Sequence, residues 1–294
     1  MGGQSVSIAE IALAQSVRRG YNVDRAKFNA ANLESEGLTL YTVKDIYDAL
    51  NGWAPFDTGY RNDIKGLLAG RFSSPVKRVF ASLDITPGTI REALGIGAQL
   101  IVSHHAPFLS PPLPTDGSPA GEVLLELCEN RLGAISAHTN LDAAPGGVND
   151  ELASLLGLPG GCQPLDDEGI GRWGGLPRPI EPQDLASLCK DKLGCGVVRF
   201  FSAGKPVSRL AICGGSGGDM LAVAAAKGCH ALVTADIKHH QFIQAAQLGI
   251  SLLDCGHFAT ENIIIPKLCA YLEKQLPGIE ARQSRVSKEP YQCL

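Results

Sequence analysis

His257 and Glu261 stand four residues apart in GISLLDCGHFATE, residues 249–261, where an apolar run gives way to a polar one. Four residues is one helical turn, so an imidazole and a carboxylate placed there can face a single ion. Six of the seven histidines fall in comparable polar clusters: His104 and His105 after LIVS, His138 in AHTNLD, His239 and His240 in ADIKHH, and His257 itself. Asp142, Asp236, Asp254 and Glu261 accompany them, and this recurrence, more than any one histidine, reads as a set of metal ligands. Adjacent His104 and His105 point to opposite sides of an ideal strand, so the pair suits two neighbouring ions better than one. Two ions about 3.5 to 4 Å apart, bridged by a carboxylate, are the arrangement of many hydrolases. Nitrogen and oxygen donors without an evident thiolate admit zinc, iron, manganese or cobalt.

The clusters need strands to end where they begin. From Arg78 the chain reads RVFASLD, a turn, IREALGIGAQ and LIVSHH, which is strand, helix, strand and implies a parallel βαβ unit. RLAIC, GGSGG, DMLAVAAAKGCH and ALVTAD repeat the order. Arg78 and Arg209, Ala93 and Ala224, Gly97 and Gly228, and Val102 and Val233 all match at one offset of 131. Each copy then continues to a further strand, RLGAISAHTNLD or QLGISLLDCGHFATE. The expected fold is therefore α/β: two related lobes over residues 39–160 and 183–294, joined by a Gly/Pro-rich connection at 161–182, with the site in the crevice between them. Residues 1–38, with the amphipathic stretch SIAEIALAQSVRR, read as an appended segment without catalytic function. TVKDIYDALNGWAP, with Val43, Ile46, Tyr47 and Leu50 at helical spacing, opens the packed part.

Composition narrows the partners. A net charge of −4 and no Lys/Arg run argue against nucleic acid and for small molecules or proteins. Nine scattered cysteines without a CxxC pair fit a reducing, cytoplasmic setting, and no apolar run is long enough to span a membrane.

Other chemistry is legible in the same residues. GGSGG, residues 214–218, matches GxSxG between a strand and a helix, which would make Ser216 a nucleophile with Asp236 or Asp254 and His257 downstream. That assignment draws His257 away from Glu261, so the glycines read better as a turn allowing close approach. Anion binding there, aided by Lys238, is a weaker reading. Cys255 reads as a buried thiol rather than a ligand. Pro266 is expected to end or kink the helix that follows Glu261.

SHHAPF, AHTNLDAAPGGVND, and TADIKHH followed by GHFATE resemble the three signature segments of the NIF-three-like (NGG-interacting factor) family, also labelled type 2 GTP cyclohydrolase I. The likeness runs from about Thr42 to the EPYQCL tail. It implies two α/β lobes with a metal pair between them, assembled as a homohexamer built from dimers. It also implies His104 and His105 as ligands from the first segment, Asp142 from the second, and His257 and Glu261 from the third. Where the family reads DNxGL, this chain has Asp63, Ile64, Lys65, Gly66 and Leu67, and Ala235 replaces the glycine before Asp236.

Residues and resemblance together predict a hydrolase using two divalent ions per chain on a small nucleotide-related or heterocyclic metabolite. Purine ring-opening by attack at C8 is one such reaction. His240 or His138 would move the proton to the leaving group. The competing expectation is a regulatory or protein-interaction role without turnover. Five protein ligands shared by two ions leave positions open, which favours chemistry.

Overall fold

The computed structural model describes residues 41–292. Helix α1 (Val43–Trp53) starts at Thr42, whose hydroxyl accepts from the Asp45 N–H while the Asp45 carboxylate accepts from the Thr42 N–H at 2.7 Å. Val43, Ile46 and Leu50 then fall on one buried face. The segment expected over 1–38 lies outside the described residues.

The first sheet contains β1 (Gly66–Ala69), β2 (Arg78–Ser82), β3 (Leu100–Ser103) and β4 (Gly133–Ser136), with helices α2 (Pro87–Gly95) and α3 (Pro119–Glu129) crossing between the last three. β2, β3 and β4 are parallel, and every residue of β3 and β4 is buried, as expected where helices cover a parallel sheet. β1 closes one side antiparallel to β4. Two short helices follow, α4 (Thr139–Ala143) and α5 (Val148–Leu155).

The second sheet is built from β5 (Gln163–Pro164), β6 (Arg172–Ile180), β7 (Arg199–Phe201), β8 (Val207–Ile212), β9 (Ala231–Thr234) and β10 (Ser251–Asp254), in the order β5-β6-β8-β9-β10-β7. Its parallel centre is β8, β9 and β10, and helices α6 (Pro182–Leu193), α7 (Leu221–Ala226) and α8 (His239–Leu248) lie between strands in sequence. The short helix α9 (His257–Glu261), the 12-residue helix α10 (Ile264–Gln275) and the strand β11 (Glu280–Gln283) follow. Asn262 and Ile263 interrupt the helix before α10, so Pro266 falls in a first turn, where its missing N–H costs no hydrogen bond.

Two boundaries differ from the sequence reading. Residues 172–180, assigned to the connection, form the longest strand of the second sheet, antiparallel to β8. Its Leu176–Pro179 stretch sits in the register shift between Val207 and Arg209, so both prolines avoid the regular ladder. β11, assigned to the second lobe, instead extends the first sheet parallel to β2, and Arg78 pairs with Glu280 at 2.6 Å.

The residues matched at offset 131 share local structure. Gly97 and Gly228 follow helices with φ of 71° and 70°. Arg78 donates to the Ile96 carbonyl, and Arg209 donates to the Lys227 carbonyl at 3.0 Å. Each arginine thus satisfies a carbonyl left open at a helix end. Among the described residues no helix is long and apolar enough to cross a membrane, and the eight described cysteines are free thiols.

Candidate metal centre

Buried hydroxyls fix the loops at the carboxyl ends of the strands. Ser82 donates to the Asp84 carbonyl at 2.8 Å, Ser103 to the His105 carbonyl at 2.7 Å, and Ser136 to the His104 carbonyl at 2.7 Å. In the second sheet Thr234 donates to the Gly215 carbonyl at 2.9 Å and accepts from the Gly217 N–H. Each of these polar residues ends a strand after three apolar residues, and its hydroxyl bonds a carbonyl of the loops beyond the strand ends.

These loops bring His104, His105, Asp142, His257 and Glu261 together. Two groups of donors form, His104 with Asp142 and Glu261, and His105 with His257 and Glu261. Glu261 belongs to both. Its Oε1 lies 3.8 Å from His104 Nε2, and its Oε2 lies 2.9 Å from the Nε2 atoms of both His105 and His257. Asp142 Oδ1 lies 3.6 Å from His104 Nε2. A third group joins His104 and His105 to His138.

Every one of these imidazoles is held by Nδ1. His104 Nδ1 bonds the Ala137 carbonyl at 2.8 Å, His105 Nδ1 bonds Asp84 at 2.8 Å, His138 Nδ1 bonds Asp63 at 2.7 Å, and His257 Nδ1 bonds Asp236 at 2.7 Å. Carbonyls and ionised carboxylates only accept, so Nδ1 carries the hydrogen and Nε2 turns a lone pair to the centre. His104 Nε2, Asp142 Oδ1 and Glu261 Oε2 are buried without a hydrogen-bond partner. Buried acceptors aimed at one another need protons or a cation between them, and imidazole with carboxylate is a donor set that could hold a metal ion.

The charges respond accordingly. Burial opposes charging of His105 and His257, but the facing carboxylates of Asp84 and Glu261 raise the first to about 10, and those of Glu261 and Asp236 raise the second to about 9. His104 is likewise raised against its burial by Asp142 and Glu261. Burial pushes Asp142 up to about 6, with His104 opposing. Glu261 falls well below the usual carboxylate range despite complete burial, because His104, His105 and His257 face it.

The glycine loop packs directly on this cluster. A Cβ at Gly215, which has φ of 61°, would stand 2.0 Å from Glu261 Oε1 and 3.1 Å from His257 Nε2. Gly214 N–H donates to Asn149 Oδ1 at 2.9 Å, and Asn149 donates to the Asp142 carbonyl at 3.1 Å, which couples the loop to a candidate ligand. Ser216 is exposed and forms no hydrogen bond with a histidine, and a three-residue 3-10 turn (Gly218–Met220) follows it, so the nucleophile-elbow geometry is missing.

The other sequence candidates separate clearly. His138 is half-buried and stacks edge-on against His104 and His105, with ring centroids 5.2 and 5.4 Å away. His240 does not join it: His239 and His240 are exposed on the first turn of α8 and belong to none of the three donor groups. Asp254 turns away to Arg199 and the Ile237 N–H. Cys255 is buried, as read from sequence. Asp84 and Asp63 were missed as holders of histidines. Asp63 was visible as the first residue of the departed DNxGL pattern, and it also accepts from the Thr139 hydroxyl at 2.6 Å.

Fold and site together define an α/β protein with an imidazole–carboxylate cluster assembled at strand ends and suited to metal. The chain matches the Duf34/NIF3 (NGG1p interacting factor 3) family over residues 41–290 and belongs to it. It is 30% identical over 260 residues to a Clostridium perfringens protein described as "GTP cyclohydrolase 1 type 2 homolog", covering 86% of this chain and 99% of that one. A Helicobacter pylori protein described as "GTP cyclohydrolase 1 type 2" is 30% identical over 226 residues, 75% of this chain and 87% of that one. The fold is similar to that of a Bacillus cereus protein related to NIF3, with a TM-score of 0.81 at 18% identity, covering 87% of this chain and all of the other.

Proposed function

We propose that this protein is a dinuclear metal-dependent hydrolase of a small nucleotide-related or heterocyclic metabolite. The observation that carries the reading is Glu261, buried and shared by two donor groups, with one carboxylate oxygen toward each. His104 and Asp142 would complete one ion site and His105 and His257 the other, with zinc, iron, manganese or cobalt as the ion. The chemistry such ions would supply is a lowered pKa of water and polarisation of a carbonyl or phosphoryl oxygen.

The protein's own residues supply orientation and proton transfer. Asp84 and Asp236 keep His105 and His257 in the tautomer that presents Nε2. His138 would pass a proton to a leaving group, a reading supported by its hold through Nδ1 on Asp63 and its partial exposure. His240 loses its claim to that role by its exposure on α8. The names of the relatives favour GTP as the first substrate to test, with attack at the purine C8. A homohexamer is part of the same reading and is checked by sedimentation.

The test is GTP turnover by purified protein, before chelation, after it, and after return of each candidate metal. Chelator-sensitive turnover restored by a metal supports the hydrolase. Two bound ions with no turnover of any nucleotide would instead favour the regulatory or interaction role.

A further inference from the structure

The segment after β11 is anchored on α2, where Glu92 accepts from the Ser284 hydroxyl at 2.7 Å and from the Arg285 N–H at 2.9 Å. From there the chain reaches Gly256, where a Cβ would lie 3.1 Å from Glu289 Oε2 and 3.3 Å from the Tyr291 hydroxyl. Glycine at this position, with a φ of 85°, lets both side chains close on the backbone. A cavity of about 520 Å³ opens beside them, with Val197, Phe258, Ile263, Glu289 and Tyr291 among its walls. That volume falls within the range of small-molecule sites.

The walls hold one formal charge. No lysine, arginine or histidine lines the cavity, and Glu289 is its single carboxylate. That side chain is half-buried and has no hydrogen bond or ion pair among the described residues. Asp236, Asp254 and Asp84 add negative potential from nearby, yet each is already matched, to His257, Arg199 and His105 in turn. Burial, with those three carboxylates, pushes the Glu289 carboxyl above its ordinary value, and His257 opposes them. A partly desolvated anion beside two aromatic rings and aliphatic walls is complementary to a single positive charge on an apolar body. An anionic ligand finds no positive group there, and one carboxylate is too few for a divalent ion, which takes several oxygen ligands.

We propose that this cavity binds a small organic ammonium ion, with its charged head on Glu289 and its apolar body against Phe258 and Ile263. The site is separate from the metal centre, none of whose candidate ligands lines it, and it does not rest on the hydrolase reading. A free amine and the lysine side chain of a partner protein share this chemistry; the enclosed volume favours the free amine.

The experiment is calorimetric titration of full-length, metal-loaded protein with 2-phenylethylammonium, 2-phenylethanol, phenylacetate and a capped lysine, on wild type, Glu289→Gln and Phe258→Leu, with ion content measured on the same samples. The ammonium ion is expected to bind wild type about tenfold or more tightly than the alcohol of the same shape, the effect of a charged hydrogen bond. Phenylacetate should not bind. Glu289→Gln should erase the preference for the ammonium ion and leave the alcohol unchanged, and Phe258→Leu should weaken the ammonium ion by about two- to fivefold through loss of the ring. Ion content should stay at the wild-type level in both variants. No binding of the ammonium ion to wild type, equal affinity for the alcohol, a preference that survives Glu289→Gln, or loss of the ions along with the ammonium ion would each overturn the site. A capped lysine that binds more tightly than the free amine would overturn the small-molecule assignment in favour of a partner's side chain.

Discussion

His105 and His257 meet Nε2 to Nε2 at 3.3 Å, across 152 residues of chain, and both stand 2.9 Å from the same oxygen of Glu261. One imidazole arrives from the end of β3 in the first sheet, the other from the start of α9 after the last parallel strand of the second. Their Nδ1 hydrogens are already given to Asp84 and Asp236. Three acceptors thus converge on a space that only protons or a cation can make favourable.

The orienting aspartates should matter almost as much as the ligands. Asp84→Asn and Asp236→Asn are each predicted to weaken metal affinity by roughly 10- to 100-fold, because the amide no longer fixes the tautomer of the imidazole it faces. Asp236 holds its carboxylate in place at a φ of 55°, a conformation Asn also tolerates, so the backbone should survive the exchange. Competition against a fluorescent chelator measures the change; affinities equal to wild type would show that neither aspartate acts through its histidine.

Gly215→Ala is predicted to lose metal without removing any ligand. The new Cβ would lie 2.0 Å from Glu261 Oε1, and the left-handed φ adds strain of about 1 kcal/mol. Either the loop or the shared carboxylate must move. Metal analysis and thermal melting of the variant check this, and a fully loaded protein with an unchanged melting temperature would contradict the packing of the glycine loop on Glu261.

In a metal-loaded protein, protons would compete with metal for the same nitrogens. His105 and His257 are raised in the folded protein to about 10 and about 9 from an ordinary value of 6.5. A raised folded pKa gives stability that is complete below the unfolded pKa and disappears as pH passes through the folded one. Chelated protein should therefore lose stability as pH climbs from about 6.5 toward 10, whereas metal-loaded protein should not. Metal uptake near pH 7.5 should also release protons, seen as a dependence of the calorimetric heat on buffer ionisation enthalpy. A chelated protein that grows more stable over that pH span would overturn the charge assignment.

The sequence made the parallel strands legible because RVFAS, LIVS, RLAI and ALVT are short, largely apolar runs separated by helical stretches, and the imidazole–carboxylate cluster legible because histidines recur where those runs stop. β6 was hidden by its composition: RWGGLPRPI carries two glycines and two prolines, which signal a turn unless the register shift that accommodates them is known. β11 was hidden by distance, since its partner strand lies about 200 residues upstream, as the Arg78–Glu280 separation of 202 shows. Asp84 was hidden in the same way, and Asp63, though visible in the DNxGL comparison, gave no sign of the histidine it holds. Each sits in a loop with no period, and the histidine it holds is 75 or 21 residues away. Spacing rules read neighbours along an element, and such contacts are made only when the sheets are assembled.

The central claim is that Glu261 joins two ion sites, and ion content per chain in wild type and Glu261→Gln tests it most directly. After reconstitution with excess metal and desalting, wild type should hold two ions per chain, and the variant, with one oxygen replaced by a group that cannot bridge, at most one. Two ions retained in Glu261→Gln, or a single ion in saturated wild type, would contradict the shared carboxylate.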